Sequence, residues 1–276
     1  MSARGLDHLV LSVAGLDAAR ARLSALGFTV APEGVHPFGT VNACVYLADG
    51  TFFEPLAVRD DAGVEAAAAA GNSFVLGDRR FRQARGGEGL SGMVLATDDA
   101  EADHERFDRQ GIAGGPMVAF SRPSLDKDGK ADIASFLLAF AAPRGGAEAV
   151  FFACERRKVP AIDRSALERH DNGAARILAV EAEAAEPSRF ADFLAAMAEA
   201  PAGRAGVALA NAAIRIAENP AARTPRLTGI VFGVRALGET AALFTARGVV
   251  YQEREGRLHV PAAAGQGALF VFEETP

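Results

Sequence analysis

The amino-acid sequence predicts an α+β chain made of four βαβββ modules, paired into two tandem domains. Three observations carry that expectation. First, the strand-then-helix segment LDHLVLSVAGLDAARARLSALGF, Leu6 to Phe28, returns as LSGMVLATDDAEADHERFDRQGI from Leu90 and as LTGIVFGVRALGETAALFTARGV from Leu227. Second, the register repeats: His8 to Gly27, Gly92 to Gly111 and Gly229 to Gly248 are each 19 residues apart. Third, each helix is followed by short extended pieces separated by turn residues, as in FTVAPEG, TVNACVYL and TFFEPLAV after the first helix and VVYQER, RLHVP and ALFVFEE after the last. A looser copy, ILAVEA, PSRFADFLAAMAEA and GVALANAAIRIAE, fills the third position.

In the first strand, Leu6, His8, Val10 and Ser12 share one face and Leu9, Leu11 and Val13 the other, because side chains alternate along a strand. The helix after it carries Leu16, Ala19, Leu23 and Leu26 at helical spacing, with Asp17 as the expected N-cap and Gly27 as the C-cap. One such module exposes an apolar sheet face that it cannot cover alone, so pairs of modules should curl around a shared cleft. The polar stretch RRKVPAIDRSALERHDNG, Arg156 to Gly173, marks the expected boundary, giving domains of residues 1–160 and 161–276. Within it His170 belongs to the connection, and Asn172-Gly173 reads as a turn.

Other patterns fail on context. Gly87, Gly89 and Gly92 spell GxGxxG but precede a strand, whereas a dinucleotide fingerprint follows one. DKDGK, Asp126 to Lys130, has its glycine too early for a calcium loop and reads as a hairpin turn. Arg79, Arg80, Arg82 and Arg85 read as a solvated helix face, with an anion site as the alternative.

Half the residues are hydrophobic and the formal net charge is -6, so the chain is globular and offers no basic field for nucleic acid or an anionic membrane. It has two cysteines, Cys44 and Cys154, too few for a disulfide scaffold and without metal-site spacing. Asp7 and Asp17 interrupt any apolar leader, and no run of 18 apolar residues is present. A reducing, cytoplasmic setting is the expectation.

The βαβββ repeat, with LDHLVLSV, GVHPFGTVNACVYLADGTFFEPLAV, FSRP before DGK, FFAC and HDNGA, resembles the vicinal oxygen chelate superfamily: glyoxalase I, extradiol dioxygenases and bleomycin-resistance proteins. More narrowly it resembles glyoxalase-like domain proteins over most of residues 5–174; the second half resembles them in its repeat pattern. That likeness implies two tandem glyoxalase-like domains.

Metal-using members place a ligand histidine on a module's first strand and a carboxylate on its last. Carried onto this chain, those positions are His8 and Glu54, as metal ligands and catalytic groups for a divalent ion (Zn, Fe, Mn, Ni or Co). By parity Glu54 shares its face with Phe52 and Leu56, and a carboxylate among apolar neighbours needs a partner. The second module departs from the pattern, with Gly92 at the histidine position and Ala153 or Cys154 where the carboxylate would fall; the fourth has Gly229 and Val271. A third ligand would have to come from His36, Glu155 or Cys154. His8 remains open between a hydrogen-bonded cleft histidine, a ligand and a general base, and Glu54 between a cleft carboxylate and a solvent-facing edge residue.

Alternation puts Thr40, Asn42, Cys44 and Tyr46 on one face, which suits a binding cavity beside Glu54. His36 enters that strand, and Arg122 suits a substrate carboxylate or carbonyl. His36, Asn42, Tyr46 and Arg122 are therefore the expected substrate contacts. Three functions stay open: a metal-dependent lyase, isomerase or dioxygenase acting on a small molecule; a protein that sequesters one without catalysis; and a scaffold with an empty cleft. The C-terminal domain, expected to have lost its polar cleft residues, reads as structural or as the interface of a homodimer.

Overall fold

The chain is described from a computed structural model, over residues 3–125, 130–204 and 206–275. It forms two curled sheets, each made of two βαβββ modules. The first contains β1 (Leu6–Ser12), α1 (Leu16–Ala25), β2 (Gly34–Val35), β3 (Thr40–Asn42), β4 (Val45–Tyr46) and β5 (Phe52–Val58). Helices α2 (Asp61–Ala69) and α3 (Ser73–Arg85) then lead to β6 (Gly89–Thr97), α4 (Ala100–Arg109), β7 (Val118–Leu125), β8 (Ala131–Ala141) and β9 (Val150–Lys158). The second contains β10 (Ala174–Ala184), α5 (Pro187–Ala198), β11 (Ala202–Gly203), β12 (Gly206–Ala208) and β13 (Ala213–Glu218). It ends with β14 (Arg226–Val234), α6 (Leu237–Ala246), β15 (Gln252–Arg254), β16 (Arg257–Val260) and β17 (Leu269–Glu274).

Strand order is β2-β3-β5-β1-β6-β9-β8-β7 in one sheet, with β4 also on β5, and β11-β12-β13-β10-β14-β17-β16-β15 in the other. In every module the first and last strands pair in parallel, and the two modules of a sheet join through their antiparallel first strands, β1 with β6 and β10 with β14. The four-module, two-domain expectation is what the chain adopts.

One apolar core runs between the two sheets. Leu9, Leu11, Leu23 and Phe53 from the first meet Ile230, Phe232, Phe244 and Phe270 from the second. The ring of Phe28 lies 5.1–6.2 Å from those of Phe53, Phe232, Phe270 and Phe272. A fully buried phenylalanine contributes about 2–3 kcal/mol, so this seam supplies much of the driving force for docking one sheet on the other. His170 and Asn172 pin the connecting segment. His170 accepts from the Thr29 N–H and donates to the Tyr46 carbonyl, and the Asn172 amide donates to the Leu26 carbonyl.

Some local expectations change. Gly15, not Asp17, is the N-cap of α1, and Asp17 sits in its first turn, where its charge favours the helix dipole. Gly27 does follow the helix, at φ +82°. The arginine group is not a uniformly solvated face. Arg82 donates to the Val13, Gly87 and Leu56 carbonyls and to Asp78, whose other oxygen takes the Ser12 hydroxyl, so α3 is tied to the ends of β1 and β5. Arg79 and Arg85 pair with Glu65 and Glu148. Gly89 and Gly92 lie in β6, so GxGxxG opens no helix. The DKDGK turn falls on residues 126–129, outside the described residues. Among the described residues no helix is long and apolar enough to cross a membrane.

Candidate functional site

The inner face of the first sheet holds a blind chamber of about 60 Å³. Its apolar wall comes from Phe38, Phe52, Phe74, Phe120, Phe136 and Phe152. Helix α3 closes one end, laying Phe74 and Val75 against Val10, Leu56 and Val94. Polar groups sit among these rings: Asp7, His8, His36, Asn42 and Glu54, each 9% exposed or less.

Strand parity brings His8 and Glu54 together as the sequence implies. Val10 pairs with Glu54 and His8 with Phe52, so both polar side chains point to the inner face. The His8 ring stacks on Phe52 at 4.4 Å, and its Nε2 lies 3.6 Å from Glu54 Oε2. That gap is too wide for a direct hydrogen bond, and both atoms border the chamber from the same side. Glu54 Oε1 accepts the Asn42 amide at 2.6 Å and lies 3.6 Å from His36 Nε2. His36 is buried, with Nδ1 2.9 Å from the Thr40 hydroxyl. Burial holds its pKa down at about 4 despite the neighbouring Glu54, so its ring is neutral at pH 7.

Asp7 is the residue that strand alternation hides. Leu6 pairs with Leu95 and His8 with Val94, so β1 bulges by one residue at Asp7. The bulge turns Asp7 into the chamber, where Oδ2 lies 2.7 Å from His8 Nδ1 and Oδ1 accepts from Arg156 at 2.5 Å. Burial pushes the Asp7 carboxyl upward, but the His8 hydrogen bond and the charges of His8 and Arg156 outweigh it and hold the pKa below the usual carboxylate value. The ionised Asp7 accepts at His8 Nδ1 and so orients the ring with Nε2 toward Glu54. An aspartate inside an otherwise apolar strand, next to a histidine, was the available signal for this pair; alternation argued against their contact.

The other expected contacts lie along one path. Asn42 and Cys44 line the chamber, and Tyr46 lines a wider vestibule of about 410 Å³ outside it. Arg122 borders both spaces, its Nη1 3.5 Å from Asn42 Oδ1. Cys44 and Cys154 are buried thiols; burial and nearby Glu54 lift Cys44 to about 12, and burial raises Cys154 too. Neither is a ready nucleophile.

The second module fills neither matched ligand position, although Cys154 lines the chamber. Gly92 pairs with Val150 as His8 pairs with Phe52, so the counterpart of Glu54 is Phe152, not Ala153 or Cys154. A Cβ on Gly92 would lie 3.0 Å from Val10 Cγ2 and 3.2 Å from Val150 Cγ1, so that position is already filled by its neighbours. Glu155 accepts from the Ala100 N–H at the start of α4 and is absent from the chamber lining. Among the described residues, no group of three or more His, Cys, Asp or Glu is arranged to hold a metal ion. His8 and His36 address different oxygens of Glu54, and the Asn42 amide occupies one of them. As arranged, these side chains do not fit a divalent ion.

In the second sheet Glu181 pairs with Gly229 as Val10 pairs with Gly92, and Ala179 with Ala213 as His8 pairs with Phe52. The four corresponding positions are therefore Ala179, Arg215, Gly229 and Val271. The expected loss of polar groups there is incomplete, since Arg215 occupies the Glu54 position and Glu181 reaches over Gly229.

Comparison with known proteins agrees with this fold. No curated protein matches the chain in sequence. Among solved structures, a hypothetical protein from Staphylococcus aureus aligns with a TM-score of 0.68 at 13% identity, covering 98% of this chain and 99% of that one. A mutant 4-hydroxymandelate synthase from Streptomyces coelicolor gives 0.65 at 13% identity, covering 99% and 93%. The Mn(II)-bound glyoxalase of Novosphingobium aromaticivorans gives 0.59 at 10% identity, covering 99% and 82%. At these identities the likeness is one of fold. The family model described as a glyoxalase-like domain matches residues 6–198, and the chain belongs to that family.

Proposed function

We propose that the N-terminal cleft catalyses proton transfer on a small molecule, as an isomerase or lyase whose acid and base are protein side chains. The division of labour follows the division of the chain at residue 160, with the chemistry in the first domain. The observation that carries this reading is the hydrogen-bonded Asp7–His8 pair, with His8 Nε2 facing Glu54 across 3.6 Å inside an aromatic chamber. His8 would take a proton at Nε2, and Asp7, kept ionised by Arg156, would stabilise the imidazolium. Glu54, held by Asn42, stands on the other side of the gap to deliver or accept the second proton. Asn42 and Arg122 would orient the substrate oxygens.

The donor set speaks against the divalent metal that the superfamily suggests, so no step is routed through one. A second reading, binding without catalysis, draws support from the six phenylalanines of the chamber wall.

The test follows exchange of C–H protons beside the carbonyl of pyruvate, dihydroxyacetone and glycolaldehyde in D2O by NMR. Catalysed exchange should fall roughly 10²–10⁴-fold in His8→Ala and Glu54→Gln, and Asp7→Asn should shift its pH profile. Probes that bind without exchanging would favour the binding protein. Stoichiometric metal in protein purified without added metal, lost in both variants, would overturn the metal-independent reading.

A further inference from the structure

The vestibule carries more positive charge than proton transfer requires. Three guanidiniums from three separate segments border one space of about 410 Å³: Arg122 from β7, Arg156 from β9 and Arg164 from the connection between β9 and β10. Arg156 is committed to Asp7. Among the described residues, neither Arg122 nor Arg164 has a carboxylate within ion-pair distance. Arg122 has its long contact to Asn42 and lies over the Phe136 ring at 5.7 Å, and Arg164 lies over the Tyr46 ring at 4.5 Å. Glu33, the acid in this lining, is taken by Arg59. In a chain of net charge -6, two uncommitted arginines facing one concavity are an unbalanced local field that draws anions.

Gly34 adds a geometric constraint. A Cβ there would collide with the Arg122 guanidinium and with Asn42, so the bare backbone of β2 lies directly beside that cation. Size adds another. A cavity of ~150 Å³ accommodates benzene, so by proportion the inner chamber of about 60 Å³ admits roughly two or three heavy atoms.

We propose that Arg122 and Arg164 form an anion subsite. The bound molecule is an anion with a compact reacting end: its carboxylate or phosphate stays in the vestibule while two or three heavy atoms reach His8 and Glu54. The placement of the reacting end rests on the proposed function above; the subsite itself does not.

Calorimetric titration with glycerate, glycerol 3-phosphate and glycerol tests this with three molecules alike in their carbon chain. At least one anion should bind about tenfold or more tighter than glycerol, and its affinity should weaken as NaCl is added. Whichever anion wins decides between carboxylate and phosphate. Arg122→Met and Arg164→Met should each weaken it about tenfold, Arg122→Lys should restore part of the loss, and Arg215→Met in the second sheet should leave it within about twofold. Equal binding of glycerol, no binding of either anion, or affinity unchanged in both Met variants of unaltered melting temperature would overturn the subsite. Anion binding without proton exchange removes the proposed chemistry and leaves the subsite standing; exchange without anion preference does the reverse.

Discussion

The two sheets share one strand order, yet only the first encloses its inner face. Between β5 and β6 the chain inserts α2 and α3, and α3 lays Phe74 and Val75 over the strands. The matching connection between β13 and β14 runs from residue 219 to 225, and the inner face of the second sheet buries a cluster of only Ala179, Val231 and Val271. Enclosure changes what charges do. In the first sheet Asp7, His8 and Glu54 interact in a medium of low polarisability, where water screens each contact little, and the His8 and Arg156 contacts hold the Asp7 pKa down. In the second, Glu183 pairs with Arg226 while both stay nearly 30% exposed, and water screens the pair. The same topology thus yields an enclosed polar chamber or an open face, depending on whether a helix covers the strands.

The sharpest test of that difference exchanges equivalent positions. Glu54→Gln should cost about 10²–10⁴ in proton-transfer rate, whereas Arg215→Ala, at the matching position of the second sheet, should leave the rate within about twofold. Equal losses would remove the distinction between the two faces. Next in size is packing. Phe74→Ala should lower unfolding free energy by about 3–5 kcal/mol, measured by denaturant titration. Val271→Ala on the open face should cost about 1.5 kcal/mol, the worth of two methyl groups.

Acid sensitivity should come from the enclosed face. His36 has a pKa near 4 folded and 6.5 unfolded, so between those values the unfolded chain binds the extra proton. Stability is therefore full above about pH 6.5 and falls as pH drops toward 4, by up to roughly 3 kcal/mol from this group. Asp7, whose folded pKa is depressed, pulls in the same direction. His36→Leu should flatten the His36 share of a stability–pH curve. Smaller again is Gly92→Ala, whose new methyl meets Val10 and Val150 and should cost about 1–3 kcal/mol. The smallest change is Arg257→Ala, which removes a half-exposed pair with Glu273 and should stay within about 1 kcal/mol.

Much of the architecture is written in residue order. The 19-residue register of His8–Gly27, Gly92–Gly111 and Gly229–Gly248 reports a local strand-helix unit, and such units follow from short-range periodicity. The shared face of His8 and Glu54, and that of Thr40, Asn42, Cys44 and Tyr46, follow from alternation in the same way. The N-cap at Gly15 was misplaced because a helix start depends on backbone dihedrals as well as on acidic residues nearby.

What lay beyond residue order depends on chain segments meeting in space. The bulge that turns Asp7 onto His8 is a mismatch between two strands, invisible in either one. Phe152, rather than Cys154, opposes Glu54 because of the β6–β9 register, and Arg164 joins the vestibule because the connecting segment folds back over Tyr46. Periodicity fixes which way a side chain points from its own backbone. The curl of the sheet, its register and its covering helix fix what that side chain meets, and those arise from burial summed over the whole core.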